Sequence, residues 1–155
     1  MIELTWTALY ILVVSMYNWD VATPESTFSI SDLSSMYCLS ANVYHEARGE
    51  MFEDQIAVSH VVLNRVADSQ WPSTVCEVIT QRAQFSWYGD DLPDTIQDLV
   101  AFKKNVQNAL FVYTGIVADL TDGATHYYAH DSIDPPYWAD TLTVTLKLEG
   151  HTYLK

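Results

Sequence analysis

Basic residues are scarce in this chain of 155 residues: seven Lys and Arg stand against twenty Asp and Glu, a formal charge of −13 at pH 7. Nucleic acid is therefore a poor partner, because phosphate contacts need clustered cations. The only adjacent basic pair, Lys103-Lys104, reads as a solvated helix face. Cysteine is nearly absent too. Cys38 and Cys76 form no CxxC pair, no HExxH motif occurs, and no twelve-residue EF-hand loop is present, so the standard zinc and calcium signatures are missing. The acidic groups Asp90-Asp91-Asp94, Asp119-Asp122 and Asp131-Asp134 read as solvation or an adaptation to salt. No metal or other cofactor is expected. There is no internal repeat and no low-complexity tract, and 49% hydrophobic residues suffice for one domain with a real core.

The one long apolar run, "LTWTALYILVVSMY" at residues 4–17, is about 14 residues long, short of the roughly 20 needed to span a bilayer. Its length fits the core of a signal peptide, but the usual positive n-region is missing and no A-x-A cleavage site follows. Two readings stay open: an export or anchor segment that tethers the chain to a membrane, or a helix packed on the domain. Residues 18–31 read as a Ser/Thr/Pro-rich linker, which divides the chain into an N-terminal segment, 1–31, and a domain, 32–155. The two cysteines are either free buried thiols or one disulfide, the latter requiring an oxidising compartment.

Ser31 or Asp32 is placed to cap a first helix. Leu33, Met36, Tyr37, Ser40, Val43, Tyr44 and Ala47 then recur at helical spacing as far as Gly49, a candidate left-handed cap. A second helix fits 52–67, Pro72 and the Ser/Thr pair after it start a short third, and 94–114 make a long amphipathic fourth. "GATHYYAH" and "LTVTLKLEGHTYLK" have strand chemistry, with Glu149-Gly150 as a tight turn. The expectation is a mainly helical α+β domain with a small C-terminal antiparallel sheet.

The charge knot "YHEARGE" stands out because Glu46 falls at the end of the first helix among the apolar neighbours Val43, Tyr44 and Ala47. A partly desolvated carboxyl stays protonated near neutral pH, as a general acid acting on a glycosidic oxygen must. The competing reading is a helix-end salt bridge between Glu46 and Arg48. Glu50, beyond the glycine, suits a cap on the next helix or a pair with Arg48.

"CLSANVYHEARGEMFEDQIAVSHVVLNRVADSQWPSTVCEVITQRAQFSW" resembles the signature of the SleB/CwlJ-like cell-wall hydrolases: Y-x-E-A-R-G-E, then G-Q-x-A-V-A-x-V-x-L-N-R-V, a W/F-P-x-T-V-C segment and Q-F-S-W. The later "GATHYYAH", Trp138 and "GHTYLK" resemble its closing segments, so the likeness runs from about residue 36 to the end. It implies a lysozyme-like domain that cuts the MurNAc-GlcNAc glycan strand of peptidoglycan, commonly as a lytic transglycosylase. One glutamate then makes both proton transfers. The resemblance gives that role to Glu46, with Glu50 as runner-up. It also implies that Gln84, Ser86 and Trp87 line a sugar groove, while Phe85 reads as core. Of Tyr127 and Tyr128 only one can face the groove, since strand side chains alternate. Asn64 and Arg65 read as structural, and a Cys38–Cys76 disulfide follows from cysteines at matching family positions. His126 and His151 are expected to bond within the sheet or offer polar groups near the groove.

Other functions remain in play. Three of His45, His126, His130 and His151 with a carboxylate would make a metal-dependent amidase, and a non-catalytic wall-binding module is a third possibility. The N-terminal apolar run and the two cysteines together suit an exported location, periplasmic or cell-envelope, and a short one-domain chain is also compatible with a phage endolysin. The acidic charge departs from the basic character common among wall-lytic enzymes and suits a tethered enzyme or high salt.

Overall fold

A computed structural model describes residues 28–81, 84–85, 87–88 and 94–155. The apolar run at 4–17, Ser86 and the Asp90-Asp91 pair lie outside the described residues. Among the described residues four helices come first: α1 (Ile30–Ala47), α2 (Phe52–Ala67), α3 (Val75–Thr80) and α4 (Leu99–Tyr113). Three short described strands follow, β1 (His126–Tyr128), β2 (Val144–Lys147) and β3 (Thr152–Leu154), with a 3-10 turn at Ala139–Thr141. The α+β class expected from the sequence is the class found. No helix among the described residues is long and apolar enough to cross a membrane.

The helix boundaries show where local chemistry differed from expectation. Ser29, not Ser31 or Asp32, caps α1, and Asp32 is its partner: the Ser29 hydroxyl accepts from the Asp32 amide while the Asp32 carboxylate accepts from Ser29, a complete capping box. At the other end Gly49 is not a left-handed cap. The helix closes through Arg48 in a right-handed conformation, and the Glu50 amide donates to the Ala47 carbonyl oxygen. Asp98 caps α4 by accepting from the Val100 and Ala101 amides, so that helix begins at Leu99 rather than near 94.

α1 lies along α4, with Met36 and Tyr44 buried against Phe102, Val106 and Leu110. On its second side Leu39 meets Val62 of α2 and Val75, Val78 and Ile79 of α3, and the Cys38–Cys76 disulfide ties α1 to α3. On its third side Val43 and Ala47 meet Ala57, Val58 and Val61 of α2 and Tyr153 of β3. α1 is thus flanked by the other three described helices and by β3, which fixes its C-terminus. Gln55, wholly buried, adds a polar lock: its Oε1 accepts from Asn105 and Asn108 of α4, and its Nε2 donates to the Glu50 carbonyl oxygen. A satisfied buried amide of this kind fixes register, where an unsatisfied one would destabilise.

The sheet is antiparallel in the order β1-β3-β2, with Tyr127 opposite Tyr153 and Tyr128 opposite Thr152. The β2–β3 turn carries Gly150 over the start of α2. A Cβ at Gly150 would stand 2.5 Å from Glu50 Oε2 and 3.1 Å from Asp54 Oδ2, so a side chain there would force the Glu50 carboxylate to move.

Candidate active site

Glu46 lies on the last turn of α1, half-buried, where α1, the start of β1 and the end of α2 converge. The Tyr127 hydroxyl donates to Glu46 Oε2 at 2.8 Å. Tyr127 as a residue is only half-buried, yet its hydroxyl is enclosed. Burial and the Glu46 charge beside it hold the phenol well above its ordinary value, so Tyr127 keeps its proton and remains a donor.

Arg65 completes this corner from α2. Its Nε donates to the Thr125 carbonyl oxygen at 2.7 Å, and its guanidinium lies over the Trp71 ring at 4.2 Å and the Phe85 ring at 5.4 Å. Burial pulls its pKa down to about 10, and the Glu46 carboxylate opposes that pull. Arg65 therefore stays cationic at neutral pH. A carboxylate, a protonated phenol and a buried cation share one corner.

The rest of the wall is aromatic. His45 stacks on Trp87 with ring centroids 4.4 Å apart, and the Trp87 indole N–H donates to Asn42 Oδ1 at 3.0 Å. Arg48 covers the Tyr44 ring at 4.8 Å and donates to the Tyr44 carbonyl oxygen, so the expected helix-end charge is engaged locally. The Tyr44 hydroxyl in turn accepts from the Gln97 and Asp98 amides.

Behind Tyr127 lies a second carboxylate centre. Asp54 accepts from His151 Nδ1 at 3.1 Å, from the Gly150 amide at 3.1 Å and from the Tyr153 hydroxyl by a short bond. Burial works to raise this carboxyl, but the bonds from His151 and Tyr153, the His151 charge and the Gly150 amide outweigh it and leave its pKa below the ordinary value. The Tyr127 ring packs edge-on against His151, with centroids 5.2 Å apart, so this centre braces the tyrosine that holds Glu46.

A family model for cell wall hydrolases matches residues 49–154. The chain belongs to the cell-wall hydrolase family. It is 33% identical over 118 residues to a spore cortex-lytic enzyme of Bacillus cereus, an alignment covering 76% of this chain but 43% of that protein. The chain thus spans less than half the length of that relative. Among solved structures it is similar to the catalytic domain of the B. cereus SleB protein (TM-score 0.66, 28% identity, covering 84% of this chain and 94% of that one). It is similar also to the catalytic domain of the germination-specific lytic transglycosylase SleB from Bacillus anthracis (TM-score 0.64, 28% identity, 84% and 98% coverage). The family match starts at Gly49, so Glu50 lies inside it and Glu46 three residues before it.

Within this cell-wall hydrolase the residues singled out from the sequence fall into three groups. Glu46, Tyr127 and Trp87 gather at the corner just described. Tyr128 and His126 share the opposite side of β1, both against the Trp138 ring, as alternation along the strand requires. Gln84 is half-buried on the turn after α3, where its amide donates to the Gln81 carbonyl oxygen. Phe85 is core, and Asn64 ties α2 to the loop before β1 through Asp119, Thr121 and Ala124, as expected.

The third group departs from expectation. Glu50 does not cap α2: Met51 is the N-cap, and the Glu50 carboxylate lies against Gly150. His151 is 5% exposed and bonded to Asp54, so it braces the site from below rather than lining a surface. His126 and His130 are dispersed, the first beside Thr125 Oγ1, the second beside Thr152 Oγ1. Among the described residues no three His, Cys, Asp or Glu side chains stand together as a metal-ligand set. Sequence reasoning missed Asp54 altogether and took Arg65 as structural only. No local signal marks Asp54, whose partners His151 and Tyr153 are 97 and 99 residues away.

Proposed function

We propose that the chain cleaves the glycan strand of peptidoglycan as a lytic transglycosylase, with Glu46 as the single acid and base. The observation that carries this reading is the bond from the Tyr127 hydroxyl to Glu46 Oε2, which aims one carboxylate beside the buried Arg65. The relatives named for spore cortex lysis and lytic transglycosylation support it.

In the proposed reaction the Glu46 carboxyl gives its proton to the glycosidic oxygen as the bond to muramic acid C1 breaks. The muramoyl 6-hydroxyl closes on C1, and its proton passes to the Glu46 carboxylate, which regenerates the acid. No water is consumed, and one product ends in a 1,6-anhydro ring. Tyr127 and Arg65 stabilise the carboxylate formed midway, while glycan seated over the half-buried site restores the protonated form by excluding water. Glu50 is the weaker candidate because Gly150 occupies the space before its carboxylate.

Mass spectrometry of fragments released from purified peptidoglycan tests the proposal. Anhydromuramic ends from the wild-type chain, absent with Glu46→Gln and indifferent to EDTA, are expected. Reducing muramic ends would mean hydrolysis instead, and free peptides lost on adding EDTA would mean a metal-dependent amidase. Export is part of the same reading, since the Cys38–Cys76 disulfide suits an oxidising compartment and peptidoglycan lies outside the membrane. Cell fractionation with and without residues 1–22 tests the tether proposed for residues 4–17; both forms in the cytosol would overturn it.

A further inference from the structure

Asn42 stands one turn before Glu46 on α1 and is wholly buried. A spacing of four residues puts the two side chains on one helix face, and helical side chains lean back over the preceding turn. Glu46 therefore leans toward the turn that carries Asn42. The Asn42 amide is turned in one direction by its partner. The Trp87 indole N–H donates to Asn42 Oδ1 at 3.0 Å, and an indole nitrogen can only donate, so the amide oxygen must face Trp87. Stacking on His45 fixes the indole in turn.

The amide nitrogen then points away from Trp87, and Asn42 Nδ2 is buried with no acceptor among the described residues. A buried donor without an acceptor destabilises a fold, so its presence calls for an explanation. Glu46 offers one. A carboxylate can accept several hydrogen bonds on its two oxygens, so the bond from Tyr127 does not exhaust it. The charged and titratable groups of this region come from each element packed around it. From α1 and its end come His45, Arg48 and Glu50; from α2, Arg65 and Asp54; from the sheet, Tyr127 and His151; beside Trp87, Tyr88. Arg48 is engaged on Tyr44, Asp54 is bonded to His151 and Tyr153, and Tyr127 keeps its proton.

We propose that Asn42 is a positioning residue for Glu46: its amide N–H, oriented by Trp87, is the donor that the Glu46 carboxylate takes up once it has given its proton away. The role rests on the glycan reading above. A donor fixed in place before the reaction stabilises the charge that develops during it, with no solvent to reorganise. When the proton returns to Glu46, the N–H is released and the resting arrangement is restored.

Carbon-13 NMR of the glutamate carboxyls in the whole chain, with Glu46 assigned through Glu46→Gln, follows its titration without substrate. In Asn42→Ala the Glu46 midpoint should rise by about one pH unit, because the ionised form loses a donor. Asn42→Asp keeps the shape and the acceptor for Trp87 but puts a like charge where the donor stood, and should raise the midpoint further. It decides the question by itself if Asn42→Ala fails to fold. Trp87→Phe keeps the ring and frees the amide to turn, so its shift should be smaller than that of Asn42→Ala. On peptidoglycan, Asn42→Ala should lower kcat about tenfold with KM nearly constant, because a wholly buried side chain does not touch the glycan. The basic limb of its pH profile should move upward, since Glu46 then stays protonated to higher pH. A Glu46 midpoint unmoved in the Asn42 variants would overturn the role. So would a shift in Trp87→Phe as large as in Asn42→Ala, which would trace the effect to the aromatic wall. Products are read separately: anhydromuramic ends with an unmoved midpoint would remove the role of Asn42 alone, and a moved midpoint without such ends would remove the transglycosylase reading alone.

Discussion

Two carboxylates eight residues apart, Glu46 and Asp54, meet opposite fates. Asp54 is 1% exposed and accepts from an imidazole, a phenol and a backbone amide, so its bonding capacity is spent inside the protein. Glu46 is half-buried and held by a phenol beside a buried cation, on a surface bordered by aromatic rings. The lesson is that burial alone does not mark a chemical group. A carboxylate enclosed by donors is a structural anchor, and a half-buried one held by a phenol on an aromatic-bordered surface is the one we propose for proton transfer. The anchor also serves the other: Asp54 fixes His151, His151 backs Tyr127, and Tyr127 aims Glu46.

The comparison breaks most sharply on Glu46→Gln. Glycan cleavage should fall by about a thousandfold or more, the upper part of the range for removing an acid/base group, with the melting temperature nearly unchanged. Residual activity within tenfold of wild type would move the chemistry elsewhere. Asp54→Asn should do the reverse and cost about 2–4 kcal/mol of stability at neutral pH, because a donor replaces an acceptor among buried donors. Its pH dependence sharpens the point. The folded pKa of Asp54 is depressed, so the stability from its ionisation is present above the unfolded value of about 3.9 and is lost as pH falls through the folded value. Wild type and Asp54→Asn should therefore begin to converge in denaturant melts below about pH 4 and meet only below the depressed folded value, and a gap that stayed constant as pH fell through this range would show that packing, not charge, is lost.

Tyr127→Phe probes the link between the two centres. A hydrogen bond to a charged group is worth about 1.5–3 kcal/mol, which corresponds to about a 10- to 100-fold drop in kcat. KM should change little if the phenol acts through its bond to Glu46. A rise in KM at constant kcat would make Tyr127 a sugar contact instead. The smallest effect is expected from Glu50→Gln, a change within about threefold in activity. A loss as large as that of Glu46→Gln would exchange the roles of the two glutamates.

Much of this arrangement was legible in local spacing, and the exceptions share a cause. The second helix was placed to the residue because its apolar period is long and Gly49 and Asp68 interrupt it on either side. α1 was placed with the wrong cap, since Ser29 and Ser31 are equivalent by type and only the reciprocal bond from Asp32 distinguishes them. The pairing of Cys38 with Cys76 joins two helices whose mutual orientation no local spacing gives; only the family resemblance implies it from the sequence, and the disulfide is present in the structure.

By itself the sequence determined the helix order, the strand-rich end, the alternation that sends Tyr127 and Tyr128 to opposite faces, and the position of Glu46 at the end of a helix. These depend on neighbours within a few residues, where period, caps and turn residues act directly. Only the tertiary structure decided which carboxylate is enclosed and which is open. That outcome depends on His151 and Tyr153 arriving at Asp54, and Tyr127 at Glu46, from 97, 99 and 81 residues away. Solvation and hydrogen bonding depend on what surrounds a group in space, and those surroundings exist only once the sheet has docked on the helices.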